Sequence, residues 1–124
     1  MAQSSRPKAV VLIVEDEWFI RMNAADMVRD LGYLAIEAVD ADHAISLLET
    51  TPEIAVVFTD IQMPGSLDGL RLGAVVRDRW PPVKLLITSG QVSPPAVDLP
   101  SGARFIAEPY LLRQLEAELT ALVS

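Results

Sequence analysis

Five short apolar runs rich in β-branched residues, separated by stretches with helical spacing, restrict this chain to very few folds. They lie at 9–14 (AVVLIV), 33–39 (YLAIEAV), 54–59 (IAVVFT), 83–88 (VKLLIT) and 103–107 (ARFIA). Runs of this kind read as strands covered on both faces. Between them, 18–31 places Phe19, Ile20, Ala24, Met27, Val28 and Leu31 close to a 3.6 period, and Gly32 follows as a helix stop. Asp40 caps a second helix that carries Ala44, Ile45 and Leu48 and ends before Pro52; a third, 69–80, ends at Pro81 and Pro82. The last, 111–123, aligns Leu112, Leu115, Leu119 and Leu122 in one stripe. Alternation of strand and helix, joined by right-handed crossovers, predicts a parallel sheet with helices on both faces.

One segment breaks the alternation. Between Gly90 and Gly102, where a fourth helix belongs, the chain reads QVSPPAVDLPS, and its three prolines leave room for one helical turn at most. Helix four is therefore expected to be short or absent.

The 124 residues suit one domain, and 51% apolar residues give it enough material for a core. The folded unit is expected over 8–124, behind a polar lead-in at 1–7; the initiating Met and that lead-in favour a complete small protein. No apolar run approaches the ~18 residues of a membrane span, and the start, MAQSSRPK, lacks the apolar segment of a secretory signal. The absence of cysteine excludes a thiolate metal site and a thiol nucleophile and removes any need for an oxidising compartment, so cytoplasmic residence is expected. A net charge of −7 argues against non-specific binding to nucleic acid or to an anionic membrane. It suits a bound cation or a basic partner, and equally the plain role of keeping the surface soluble.

Open parallel sheets bind ligands beyond the carboxyl ends of their strands, so chemistry is sought there. The first strand ends in Glu15 and Asp16, the third in Asp60, the fourth in Thr88, Ser89 and Gly90, and the fifth in Glu108 and Pro109. Carboxylates gathered at one edge repel one another unless a hard cation lies among them, and Mg²⁺ suits a few carboxylates plus water. The plain alternative is separate helix caps and solvated turns. It suits Asp16, yet leaves unexplained why Asp60 directly follows the buried run IAVVF. A carboxylate beside Mg²⁺ can accept a phosphoryl group by in-line transfer, and Asp60, central in the order, is the best nucleophile. Thr88 offers a hydroxyl to a phosphoryl oxygen, and Gly90 suggests close approach of backbone. Glu108 precedes Pro109, a step that disfavours helix at the preceding residue and at which a cis peptide is inexpensive.

Together VLIVEDE, FTDIQMPGSLDGL, LLITSG and FIAEPY resemble the receiver domain of bacterial two-component response regulators over essentially the whole chain. The resemblance implies a flavodoxin-like (CheY-like) sheet of five parallel strands in the order 2-1-3-4-5. It implies phosphorylation of Asp60 by a histidine kinase or phosphotransfer protein. It further implies Mg²⁺ held by Glu15, Asp16, Asp60 and the backbone carbonyl of Gln62, with Thr88 contacting the phosphoryl group and Phe105 acting as the aromatic switch residue. The expected product is a non-enzymatic signalling protein, a monomer or weak homodimer, whose output is contact with a downstream protein, since no DNA-binding or enzymatic domain follows Ser124.

Two departures qualify that expectation. The family ends its fifth strand with Lys-Pro, and here Glu108 replaces the lysine that pairs with the phosphoacceptor. Such a reversal ~4–5 Å from Asp60 alters their interaction by several kcal/mol at an effective dielectric near ~20. Glu108 could swing into solvent, recruit the cation or take a proton, and the first two are favoured at a partly wet edge. Lys84, four residues before Thr88, begins about 13 Å from the site, and Arg104 is as far from Glu108, so neither is placed to substitute. The second departure is the proline-rich 90–102 segment, which resembles a subset of receivers with TSG…LP.GARF and implies an altered output surface. Two other functions compete: a phosphate-independent interaction module whose switch Glu108 impairs, and, far behind, a Mg²⁺-dependent aspartyl-phosphate hydrolase. The hydrolase needs a second acid where Gln62 stands. His43 is expected to be solvated or part of a capping turn, and Trp18 to lie beside the acidic site.

Overall fold

The computed structural model describes residues 8–63, 68–90 and 99–123. In chain order these form β1 (Val10–Val14), α1 (Trp18–Asp30), β2 (Leu34–Ala38), α2 (Ala41–Thr50), β3 (Ile54–Asp60), α3 (Gly69–Arg79), β4 (Lys84–Ser89), β5 (Arg104–Ala107) and α4 (Leu112–Val123). All strand pairs are parallel and the sheet order is β2-β1-β3-β4-β5. Four helices surround it among the described residues. Most of the segment expected to shorten helix four, 91–98, lies outside the described residues, as do 1–7.

Side-chain alternation along the strands divides the core in two. Val11, Ile13, Val56, Phe58, Leu86 and Ile106 meet α1 and α4 on one face. Leu12, Val14, Val57 and Leu85 meet α2 and α3 on the other. Central strands β1, β3 and β4 are therefore apolar on both sides, which is why their sequences run without polar interruption.

The helix ends follow local chemistry. Asp40 caps α2 by accepting from the His43 N–H at 2.8 Å, and Asp68 caps α3 by accepting from the Arg71 N–H at 2.8 Å. His43 belongs to the capping turn, since its Nδ1 accepts from the Val39 N–H at 3.1 Å. At the end of α1, Gly32 takes φ +96° and donates to the Arg29 carbonyl while Tyr33 donates to that of Val28. This crossed pair ends the helix and buries Tyr33 in the core, one residue ahead of β2.

Two apolar stripes are less buried than their periodicity predicts. Phe19 and Ile20 are 59% and 39% exposed, as is Leu112 at 41%. All three occupy first turns of helices, which overhang the carboxyl edge where the strands have already ended. Of the three, Ile20 still borders strand residues there, Ile13, Val14 and Phe58.

Gly69 opens α3 against the backbone of β3. A Cβ there would stand 1.9 Å from the carbonyl oxygen of Asp60, and the Gly69 N–H donates to the Ile61 carbonyl at 2.8 Å. Gly69→Ala is expected to lower the unfolding free energy by about 1–3 kcal/mol, read from urea denaturation, because backbone rather than a side chain must move.

Candidate functional site

Asp60 is the last residue of β3 and lies in register with Thr88 on β4. The Ile61 N–H continues the ladder to the Thr88 carbonyl at 2.9 Å, so the chain cannot drift after Asp60. The carboxylate Oδ1 of Asp60 accepts from the Gln62 N–H at 3.0 Å, which fixes its orientation in the turn. It remains partly exposed, open to a reactant.

Glu15 follows β1, whose final residue Val14 is in register with Thr59, and is only 5% exposed. Its Oε2 accepts from the Glu17 N–H at 3.0 Å, and its carboxyl group reaches both Asp60 and Asp16. Burial, opposed in part by the Glu17 N–H and reinforced by Asp60, pushes Glu15 from 4.5 up to about 8. Asp16 is exposed and does not cap α1; the N-cap is Glu17, without a side-chain cap bond. The carboxylate that serves the turn is thus Glu15, one residue earlier than the sequence pattern suggested.

Glu108 points inward. Its N–H donates to the Ser89 carbonyl at 3.0 Å, the Glu108–Pro109 peptide is cis, and its Oε2 lies 3.4 Å from the Thr88 hydroxyl. A Cβ on Gly90 would meet Glu108 Oε1 at 3.0 Å, so the absent side chain at residue 90 leaves room for this carboxylate. Burial first, and the neighbouring Asp60 charge second, raise the Glu108 pKa. Of the three accommodations expected at this position, swinging out is not the one seen.

Thr88 is buried, and its hydroxyl donates chiefly to the Ile106 carbonyl at 2.7 Å. Glu15, Asp60, Thr88, Glu108 and Tyr110 border a partly open space of about 10 Å³, roughly one water's worth. Phe105 is half-buried on β5 in register with Ile87, away from the carboxylates. Lys84 begins β4 at the opposite edge, and Arg104 pairs with Glu118. Among the described residues no lysine or arginine pairs with Glu15, Asp60 or Glu108.

Two contributors were not singled out from the sequence. Arg21, one turn into α1, donates from Nη1 to the Glu15 carbonyl at 3.0 Å and from Nε to Glu37 on β2 at 3.1 Å. It thereby ties the β1–α1 turn to the sheet. Tyr110 packs its ring on Phe58 at 5.9 Å, and burial together with Glu108, Glu15 and Asp60 raises its pKa. Its signal was the aromatic directly after Glu108-Pro109; Arg21 had none, because its partner is 16 residues away.

A parallel sheet of this order, with an acidic centre beyond the carboxyl end of its middle strand, defines a doubly wound α/β domain of the CheY-like class. The response regulator receiver domain pattern matches residues 11–118, and the chain belongs to that family. It is 33% identical over 111 residues to the sensor kinase CckA of Brucella abortus, covering 86% of this chain and 12% of CckA. To the probable transcriptional regulator ycf27 of Guillardia theta it is 31% identical over 119 residues, covering 94% of this chain and 46% of that protein. The chain thus spans less than half the length of either relative. Among solved structures, NtrX from Brucella abortus superposes with a TM-score of 0.84 at 29% identity, covering 94% of this chain and 27% of NtrX. The receiver domain of the hybrid histidine kinase CckA gives a TM-score of 0.78 at 27% identity, covering 94% of this chain and 100% of that one. The protein is a response regulator receiver of two-component signalling. No helix among its described residues is long and apolar enough to cross a membrane.

The raised Glu15 pKa has a signed consequence. Between 4.5 and about 8 the unfolded chain releases this proton while the folded chain holds it, so folding stability falls as pH rises through that window. In metal-free protein the denaturation midpoint is expected to decline from pH 5 to pH 8, with Glu108 adding in the same sense, and Glu15→Gln is expected to flatten much of the slope.

Proposed function

We propose that this receiver accepts a phosphoryl group on Asp60 from a histidine kinase or phosphotransfer protein and signals through a protein contact, as a signalling module rather than an enzyme. The observation that carries the reading is the register of Asp60 with Thr88 beside Glu15, which puts a fixed, partly exposed carboxylate next to a hydroxyl and a second carboxylate. In the transfer, an Asp60 oxygen forms a bond to phosphorus as the bond from phosphorus to the donor's imidazole nitrogen breaks and the electron pair returns to the ring. Thr88 would have to exchange its Ile106 partner for a phosphoryl oxygen, and Phe105, on the same strand as Ile106, is the residue to follow it. Residence in the cytoplasm suits such a donor.

Mg²⁺ fits the donor chemistry of this edge. Among the described residues no three metal-binding side chains form a ready cage, but Mg²⁺ takes one or two carboxylates and otherwise water and phosphate. Glu15 and Asp60 are two oxygen ligands already in contact, with Asp16 beside Glu15 and the Gln62 backbone tied to Asp60 through its N–H. The ion would offset charge on the transferring group, while Arg21 and the Glu17 N–H hold the β1–α1 turn in place. Added at ten times its dissociation constant, Mg²⁺ is expected to stabilise the chain by about 1.4 kcal/mol, seen as a rise in denaturation midpoint that Asp60→Asn abolishes.

The inward Glu108 and the ~10 Å³ space favour a second reading, an interaction module whose switch is impaired. Acetyl phosphate with Mg²⁺ separates the two. Slow mass gain in wild type, none in Asp60→Asn and at least ~10-fold faster gain in Glu108→Lys is the expected pattern. Gain confined to Glu108→Lys supports the impaired switch, and gain that persists in Asp60→Asn refutes the acceptor assignment.

A further inference from the structure

Beside the acidic centre runs a groove of about 460 Å³ between α1 and the turn from β5 to α4, walled by Ile20, Asn23, Met27, Glu108, Pro109 and Tyr110. Exposed apolar residues adjoin its lining in sequence: Trp18 and Phe19, 63% and 59% accessible, precede Ile20, and Leu111, 63% accessible, follows Tyr110. Glu108, together with Ile20, Ala24 and Tyr110, borders both this groove and the small space beside Asp60. Among the described residues it is also the only charged side chain in the groove wall. One carboxylate therefore faces both the outer groove and the space beside the phosphoacceptor.

That arrangement leaves two needs unmet. A phosphoryl group arriving at the partly exposed Asp60 meets Glu108 as a second anion, beside a space that holds about one water. Among the described residues no cation pairs with Glu108, while the charge acting on it is the anion Asp60. Moving Glu108 outward relieves that repulsion, and a positive group waiting in the groove would favour the move. A surface that is apolar around one anion is complementary to one that is apolar with a central cation.

We propose that this groove receives a lysine or arginine side chain from an apolar patch of a protein partner, which pairs with Glu108, draws it away from Asp60 and supplies in trans the positive charge this chain does not place there. The assignment rests on Asp60 being the phosphoacceptor. It makes Glu108 a docking and positioning residue and names the partner's chemistry, a basic side chain framed by apolar ones. A metal ion alone or a second copy of this chain would be different occupants.

The probes are n-butylammonium and n-butylguanidinium, with neutral n-butanol as control, titrated into the full chain at saturating Mg²⁺ and followed by amide NMR. Saturable shifts confined to Asn23, Met27, Gly90 and Tyr110, absent with butanol and at least about fivefold weaker in Glu108→Gln, are expected. The same cations are expected to speed acetyl phosphate labelling of wild type severalfold and to leave Glu108→Lys unchanged. Equal binding in Glu108→Gln, shifts abolished by Mg²⁺, or self-association as the sole cause of shifts at these residues would each overturn the assignment. If the cations bind as expected but neither wild type nor Glu108→Lys is ever labelled at Asp60, the phosphoacceptor reading fails while the groove still binds cations. If labelling proceeds but the cations do not bind, the docking assignment alone falls.

Discussion

Asp60 is hydrogen-bonded into the centre of the sheet, and the same parallel register that holds it delivers two more carboxyl groups to its side. β1 brings Glu15, and β5, through the bond from Glu108 to Ser89, brings Glu108. Strand backbones cannot rotate these groups apart without breaking ladder bonds. The sheet thus fixes an electrostatic conflict that side chains, protons, cations or partners have to resolve. Without a cation, burial and the neighbouring Asp60 raise the pKa of both Glu15 and Glu108, so the conflict favours proton uptake at this edge.

Much of what keeps this edge in place is backbone. Gly69 lets α3 begin in contact with the Asp60 carbonyl, and the Gln62 N–H orients the carboxylate itself. Arg21 performs the matching task on the other side by binding the Glu15 carbonyl while its Nε is held by Glu37. The acidic pair is thereby braced from β2, although β2 contributes no group to the chemistry. Positioning of this kind matters because transfer in line depends on sub-ångström placement of the attacking oxygen.

The fold was legible because its signals are local: apolar runs for doubly covered strands, Asp40 and Gly32 at helix ends, prolines at breaks. Asp60, Thr88 and Glu108 were also readable as strand-end residues, since strand ends sit together in any parallel sheet. What escaped depends on distance in sequence or on position along an element. Phe19 and Ile20 obey helical periodicity yet sit in the first turn of α1 at the sheet's carboxyl edge, and the spacing of residues cannot show where the sheet stops. Glu15 rather than Asp16 serves the β1–α1 turn because the choice depends on how the backbone leaves the strand. Arg21 was invisible because its acceptors come from two other elements. The inward direction of Glu108 escaped for the same reason: Gly90, just after β4, leaves the space it occupies.

A receiver with its own lysine beside the acceptor carries the needed charge permanently, so any competent donor finds the site prepared. Glu108 reverses that default. With an anion beside the acceptor, approach of a negatively charged phosphoryl group is opposed until Glu108 is neutralised or displaced, whatever the donor. A small phosphodonor brings no cation to do this, whereas a protein surface can bring one together with the apolar contacts that pay for its desolvation. Reactivity then depends on the encounter rather than on the acceptor alone. On this view the changed sign at the end of β5 need not mark a decayed site: it would set a threshold that favours a specific partner over indiscriminate phosphodonors.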